Sequence, residues 1–337
     1  MLLIDNVVNE GVHMDKRKSK LVGRKEILEL FPILSKDVFD QVDQLFPVRI
    51  TRSWLSRVKS MDDPLGLQAF PHESEQDFHN GDLDDPVGEE LLSPHPWLIR
   101  KHDRRILFLT TRRCHLYCRY CFRRNHSGAE DPTEEELHSA IDYINQHDFA
   151  ECILSGGDPL AISLHRLETL LTNIKTPTMR VHTRAPITEP SVLTPKLLSI
   201  LKKRKGIWVI VHCNHPDELS PAVLEGFRMV REAGIPLLNQ TVLLRGVNDN
   251  ALTLRILFEE LVSNQVFPYY LHHTDTATGN GHFRVSLKEG LAIYTELREF
   301  LSGIALPKYV IDPPDGSGKI DVATYVRNQH GNAARDS

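Results

Sequence analysis

Apolar positions along this chain alternate between two periods. Short β-branched or aromatic runs occur at 106–111 (ILFLTT), 151–155 (ECILS), 179–183 (MRVHT), 207–212 (IWVIVH), 236–240 (PLLNQ) and 268–272 (PYYLH). After the first gap, successive runs start 28, 28, 29 and 32 residues apart. Between them the spacing turns helical. Leu137, Ala140, Ile141 and Ile144 fall at i, i+3, i+4 and i+7, behind a Thr133…Glu136 pair of capping-box type. Ser220-Pro221 reads as N-cap and first helical residue, with Val223, Phe227 and Val230 on one face and Gly234 as the stop. Thr194-Pro195 repeats that opening, and Leu254, Leu257, Phe258 and Leu261 line a further helix.

Six strand–helix units with short connections predict an α/β fold on a parallel sheet, because parallel strands need a crossover and the crossover is right-handed. The period suggests a partial (β/α)6 barrel over 99–312, with chemistry at the C-terminal ends of the strands. An open doubly wound sheet is the competing architecture. Residues 1–98 carry no repeat and read as a helical and irregular accessory region, its first ~20 residues disordered. Residues 313–337 form a closing segment.

Composition narrows the class. The 337 residues are 41% hydrophobic and 25% charged, enough apolar material for a globular core. No run approaches the ~18 apolar residues of a membrane helix, and the N-terminus lacks the order of a signal peptide, so no membrane role is expected. Five cysteines, three within eight residues, do not make a secreted disulfide framework, and a cytoplasmic location is expected. A net charge of −5 argues against nucleic acid as a partner. Two blocks hide in that average. Residues 73–90 hold eight acids and no Lys or Arg, and read as a solvated face. Residues 100–124 hold nine bases against Asp103 and bracket the cysteines, which suggests a site for small anions.

Cys114, Cys118 and Cys121 are spaced C-x3-C-x2-C just past the first strand. Three thiolates on one short loop can hold three corners of a cubane iron–sulfur cluster, leaving the fourth iron open to another ligand. The alternative is structural zinc with His115 or His126 as fourth ligand, which would make the chain a non-catalytic module that grips RNA. Zinc sites, however, usually set C-x2-C against a distant second pair, which this chain lacks. Cys152 and Cys213 stand alone, as buried small residues do.

This spacing, with Tyr120 before the third cysteine, resembles the radical S-adenosylmethionine superfamily. The resemblance implies a 4Fe-4S cluster, S-adenosyl-L-methionine on its open iron, and Tyr120 near the adenine. Ser155-Gly156-Gly157-Asp158 ends the second strand, where small residues permit close backbone approach. In the superfamily that segment meets the methionyl end of the cofactor.

The segments LLNQTVLLRGVNDN (237–250), PYYLHHTDTATGNGHF (268–283) and YVIDPPDGSGKIDV (309–322) further resemble the lysine 2,3-aminomutase family, from about residue 45 to 325. A phosphate-binding P-loop at the last of these is excluded, since Pro313 stands where its first glycine belongs and Ile320 replaces Ser/Thr. The resemblance implies that Lys319 anchors pyridoxal 5'-phosphate, a role an amine fills by forming a Schiff base. It places Arg105 and Lys101 at the cofactor's phosphate, with Gln240 also at that site and His272 and His273 lining it. Lys101-His102 replaces the Arg-Tyr of some relatives. Arg123 is implied for the substrate carboxylate, and Asp275 with Asp312 for the distal ammonium of L-lysine; glutamate-specific relatives lack acids at those two positions.

The implied reaction moves the α-amino group of L-lysine to the β-carbon, with flavodoxin or ferredoxin as electron donor. The chain ends 18 residues after Lys319 and has no cysteine beyond Cys213, which resembles the short branch supplying β-lysine for modification of elongation factor P. A ligase of that pathway is then an indirect partner. The PPDGSGK turn keeps the layout of the longer enzymes, so a free-lysine aminomutase of that branch is the alternative.

Overall fold

Strand order in space repeats strand order in the chain. The computed structural model describes residues 20–128 and 130–333, and the expectation of a disordered leader falls outside them. One sheet contains β1 (Leu98–His102), β2 (Arg105–Leu109), β3 (Glu151–Ser155), β4 (Thr178–Thr183), β5 (Ile207–His212), β6 (Leu237–Val242), β7 (Phe267–His272), β8 (Lys308–Ile311) and β9 (Ile320–Asp321). Strands β2 to β8 are parallel neighbours, whereas β1 and β9 pair antiparallel at the two edges.

The six runs read from the sequence are β2 to β7. Strand β8 extends the parallel array by one. Its four residues are too short for a periodic signal, and Asp-Pro-Pro follows at once. Thr110 and Thr111, at the end of the first run, leave the ladder: both are buried, and their hydroxyls donate to the Ser155 carbonyl and to Asp131.

Local signals set the helix ends. The Thr133 hydroxyl accepts from the Glu136 amide at 3.2 Å while the Thr133 amide donates to the Glu136 carboxylate at 2.8 Å, opening the helix Glu134–Gln146. Thr194 accepts from the Leu197 amide. Ser220 has the extended backbone of an N-cap but no side-chain capping bond, so Pro221 carries that start.

Alternation along the strands divides their residues between two faces. Met179 and Val181 of β4, Val209 and Val211 of β5 and Leu237 of β6 join the helices in one apolar cluster. That cluster also takes in Val22, Ile27, Phe39 and the fully buried Trp54 from the leading segment. The other face is mixed: Arg105, Arg180, His182, His212, Gln240 and His272 share it with Leu107, Trp208, Ile210 and Leu238. At the strands' N-terminal ends it bounds a cavity of about 340 Å³ lined by Arg105, Glu151, Arg180, Trp208, Leu238 and Tyr269, among others. No helix among the described residues is long and apolar enough to cross a membrane.

Candidate functional site

The cysteine loop leaves β2 and is braced by the end of β3. Gly157 N donates to Thr111 O at 2.7 Å and Asp158 N to Arg113 O at 2.8 Å. A Cβ on Gly157 would lie 2.3 Å from Arg113 O, and one on Gly156, at φ +113°, would lie 2.5 Å from Thr111 O. The glycines therefore let β3 lie against the backbone that leads into Cys114. Asp158 completes the brace. Its carboxylate accepts from Thr183 Oγ1 (2.7 Å) and from the amides of Leu160 (2.9 Å), Arg184 (2.8 Å) and Ala185 (2.8 Å), which ties the ends of β3 and β4 together.

Cys114, Cys118 and Cys121 are free, partly exposed thiols on this loop. Burial pushes the Cys114 thiol well up and Cys121 up to about 11, so a bound metal is what would make them thiolates. A single-ion site needs its ligands to converge, and among the described residues no group of three or more His, Cys, Asp or Glu does so. A cubane gives each thiolate a separate iron and suits the loop.

Beside the loop lies a buried polar network that sequence reasoning missed. Arg184 donates to Cys118 Sγ (2.7 Å), Gln68 Oε1 (2.7 Å) and Glu218 (3.1 Å). Asn214 donates to the Tyr120 hydroxyl at 2.8 Å and to Gln68 at 2.9 Å. Tyr120 is also 3.4 Å from His212 Nε2 and is fixed against Leu244, Val247 and Phe283. The one usable signal was position, since Arg184 directly follows the last residue of β4.

The acidic block is only in part the solvated face expected: Glu73, Asp77, Asp84 and Glu90 are exposed, but Glu75 and Glu89 turn inward. Glu75 is fully buried and accepts from Arg119 at 2.9 and 2.5 Å and from Arg124 at 2.5 Å. Burial opposes its charge, but the two guanidinium groups outweigh that and hold its carboxyl below the usual range. Glu89 takes Arg123 side-on, at 2.7 Å to Nε and 2.5 Å to Nη2. Arg119, Arg123 and Arg124 of the basic block are thus partners of two acids of the acidic block, which charge sign alone does not reveal.

Lys319 stands on the opposite wall, after β8 and the Gly-rich turn. Its ammonium donates to Asp312 Oδ2 at 3.0 Å, while Lys101 donates to Asp312 Oδ1 at 3.1 Å and to the Val87 carbonyl. The pair of cations outweighs burial and lowers the Asp312 carboxyl. Asp275, just past β7, has no such partner. Burial pushes it up to about 7, Asp312 adds to the rise, and Lys319 and Lys101 oppose it. Burial likewise keeps His182 and His272 neutral, His272 at about 3, with the Lys319 charge contributing to both. Arg123 feels Asp312 from across the pocket. Gly318 packs under His102, where a Cβ would lie 2.8 Å from the ring.

Arg123, Asp275, Asp312 and Lys319 thus face one space, the mouth of the mixed barrel face. Gln240 lies on that face in register with His212 and Tyr270. Arg105 lies at the far end of β2, beside Arg180, which Glu151 holds at 2.6 Å. His273 points elsewhere, bonded to the Tyr309 hydroxyl at 2.8 Å.

The family model "Radical SAM superfamily" matches residues 108–254. An L-lysine 2,3-aminomutase from Buchnera aphidicola subsp. Baizongia pistaciae is 40% identical over 289 residues, covering 83% of this chain and 85% of that protein. An enzyme of the same name from Clostridium subterminale is 37% identical over 290 residues, covering 83% and 70%. A glutamate 2,3-aminomutase from Clostridioides difficile is 33% identical over 293 residues, covering 84% and 69%. With three cysteines on one braced loop and a lysine facing paired carboxylates across the same pocket, the chain belongs to the lysine 2,3-aminomutase family of radical SAM enzymes.

Proposed function

We propose that this chain is a pyridoxal phosphate-dependent L-lysine 2,3-aminomutase, an isomerase that moves the α-amino group of L-lysine to the β-carbon. The observation that carries the reading is the Asp275–Asp312 pair. Two carboxylates on one pocket repel unless a cation joins them, and burial together with the nearby Asp312 pushes Asp275 up to about 7. The ammonium groups of Lys101 and Lys319 already sit on Asp312, so the spot accepts alkylammonium ions. A glutamate substrate would add a third anion there.

When bound, the reduced cluster supplies the electron that cleaves S-adenosylmethionine, and pyridoxal phosphate carries the migrating nitrogen. Cys114, Cys118 and Cys121 would hold the cluster. Tyr120 and the Ser155–Gly157 segment would flank S-adenosylmethionine. Lys319 would anchor pyridoxal phosphate, with Gln240 beside it and Arg105 and Arg180 at its phosphate. Asp158 acts by fixing the strand ends beneath them. Arg123 would take the substrate carboxylate, and Asp275 with Asp312 its distal ammonium. Gripping both ends holds the α- and β-carbons still, the protein's main contribution to a rearrangement between adjacent atoms.

The test is direct. Anaerobically reconstituted protein given L-lysine, S-adenosylmethionine, pyridoxal phosphate and a reductant accumulates β-lysine; unchanged L-lysine contradicts the reading. For the product's fate we favour modification of elongation factor P in the cytoplasm, with flavodoxin or ferredoxin as donor and a pathway ligase as indirect partner. Its support is the resemblance to the short branch. A deletion strain separates it from free-lysine metabolism: elongation factor P loses its β-lysyl group and regains it when β-lysine is fed.

A further inference from the structure

We propose that Glu89 is the positioning residue of the substrate-carboxylate site, holding Arg123 by its Nε–Nη2 edge so that the Nη1–Nη2 edge is presented to the substrate. The proposal rests on the reading of this pocket as a lysine site. A guanidinium offers five N–H donors in a planar fork, and a carboxylate takes two parallel ones at a time. Glu89 takes the side-on pair, at 2.7 and 2.5 Å. Nη1 makes only long contacts, 3.3 Å to Ser155 Oγ and 3.3 Å to Gly156 O at the end of β3. The end-on edge is therefore weakly committed. Both side chains are largely buried, each 16% exposed, which limits competition from water.

The backbone around Glu89 says why this carboxylate is suited to the task. Residues 82–92 form a strap over the pocket mouth. Leu83 N donates to Thr276 O at 2.9 Å and Thr278 N to Leu83 O at 3.2 Å, which docks the strap on the loop carrying Asp275. The Val87 carbonyl accepts from Lys101. Gly88, at φ +66°, lies so close to the Gly-rich turn that a Cβ would be 2.6 Å from Pro314 O. One segment thus touches the Asp275 loop, the turn ahead of Lys319 and Arg123. It sets the distance between the carboxylate-binding and ammonium-binding ends, and Glu89 transmits that setting to the guanidinium.

A competing role is geometrically distinct: Glu89 as an internal carboxylate that must leave before substrate binds. It predicts the opposite sign. The experiment uses the reconstituted holoenzyme, with Glu89→Gln and Glu89→Asp checked for iron content and far-UV circular dichroism. Rates are measured with L-lysine, and L-lysinamide, which lacks the carboxylate, is used as inhibitor. Glu89→Gln raises KM for L-lysine about tenfold or more, the scale of a lost charge-assisted bond, with a smaller change in kcat. Its Ki for L-lysinamide stays within about twofold, and Glu89→Asp, which keeps the charge, recovers part of the KM. A lower KM in Glu89→Gln, or equal losses for L-lysine and L-lysinamide, overturns the proposal while wild-type turnover of L-lysine leaves the lysine reading standing. Wild-type holoenzyme that leaves L-lysine unchanged overturns the lysine reading, and the proposal with it.

Discussion

Two sets of charges flank the mouth of the barrel, one buried and one partly exposed, and they differ in whether the protein alone satisfies them. Beside the cysteine loop, Glu75 is enclosed by Arg119 and Arg124, and Glu218 by Arg184. Glu75 and Glu218 each have a guanidinium partner, and Asp158 is satisfied by Thr183 and three backbone amides. On the opposite wall, Asp312 holds Lys101 and Lys319, whereas Asp275 makes no ion pair among the described residues and feels those two ammonium groups only at longer range. A paired buried charge fixes geometry, since removing one partner strands the other. An unpaired one marks where a ligand's charge belongs. The first set is scaffold for the loop; the second is half of a binding site.

Each side of this contrast can be broken separately. The largest effect is expected on the unsatisfied wall. Lys319→Ala removes the cofactor-anchoring amine, and β-lysine formation should fall below detection while iron and sulfide content stay at wild-type levels; full activity would show that the wall has another purpose. Next comes the satisfied wall. Glu75→Gln leaves Arg119 and Arg124 buried without their anion and should cost about 3–5 kcal/mol of stability by urea denaturation. A loss below about 1 kcal/mol, the scale of an exposed pair, would remove the distinction drawn here.

The third test is a pH dependence. With Asp275 at about 7 instead of its ordinary 3.8, the substrate-free fold favours the protonated acid. That contribution to stability is fully present below the unfolded value and is lost as pH rises through about 7. An ammonium ligand wants the ionised acid, so binding below that point must release a proton. Apparent affinity for L-lysine should rise about tenfold per pH unit up to neutrality and level off above it. Asp275→Asn should bind L-lysine more weakly and without that slope. An identical slope in the variant would assign the proton elsewhere. The smallest effect belongs to a control: Glu225→Gln, which breaks the exposed pair with Arg228, should leave the denaturation midpoint unchanged.

How far the chain could be read in advance follows the range of the interactions involved. Strands β2 to β7 were legible because alternation and spacing are local, and the start at Thr133 because a capping box closes within three residues. The cysteine loop was legible for the same reason. Gln68, however, meets Arg184 and Glu218 across more than a hundred residues of sequence, and no local pattern encodes that meeting. Glu75 and Glu89 were misjudged because a run of acids shows charge, and burial depends on where the matching cations fold. At Gly156 and Gly157 the sequence suggests close approach to a ligand, and the close approach they allow in this structure is to the chain's own backbone.

The most direct measurement is a competition. Anaerobic holoenzyme is given L-lysine and L-glutamate together, and both are followed by NMR. A pocket whose unpaired acid awaits an ammonium ion should convert L-lysine to β-lysine and leave L-glutamate untouched. Formation of β-glutamate, or an unchanged lysine spectrum, would contradict it.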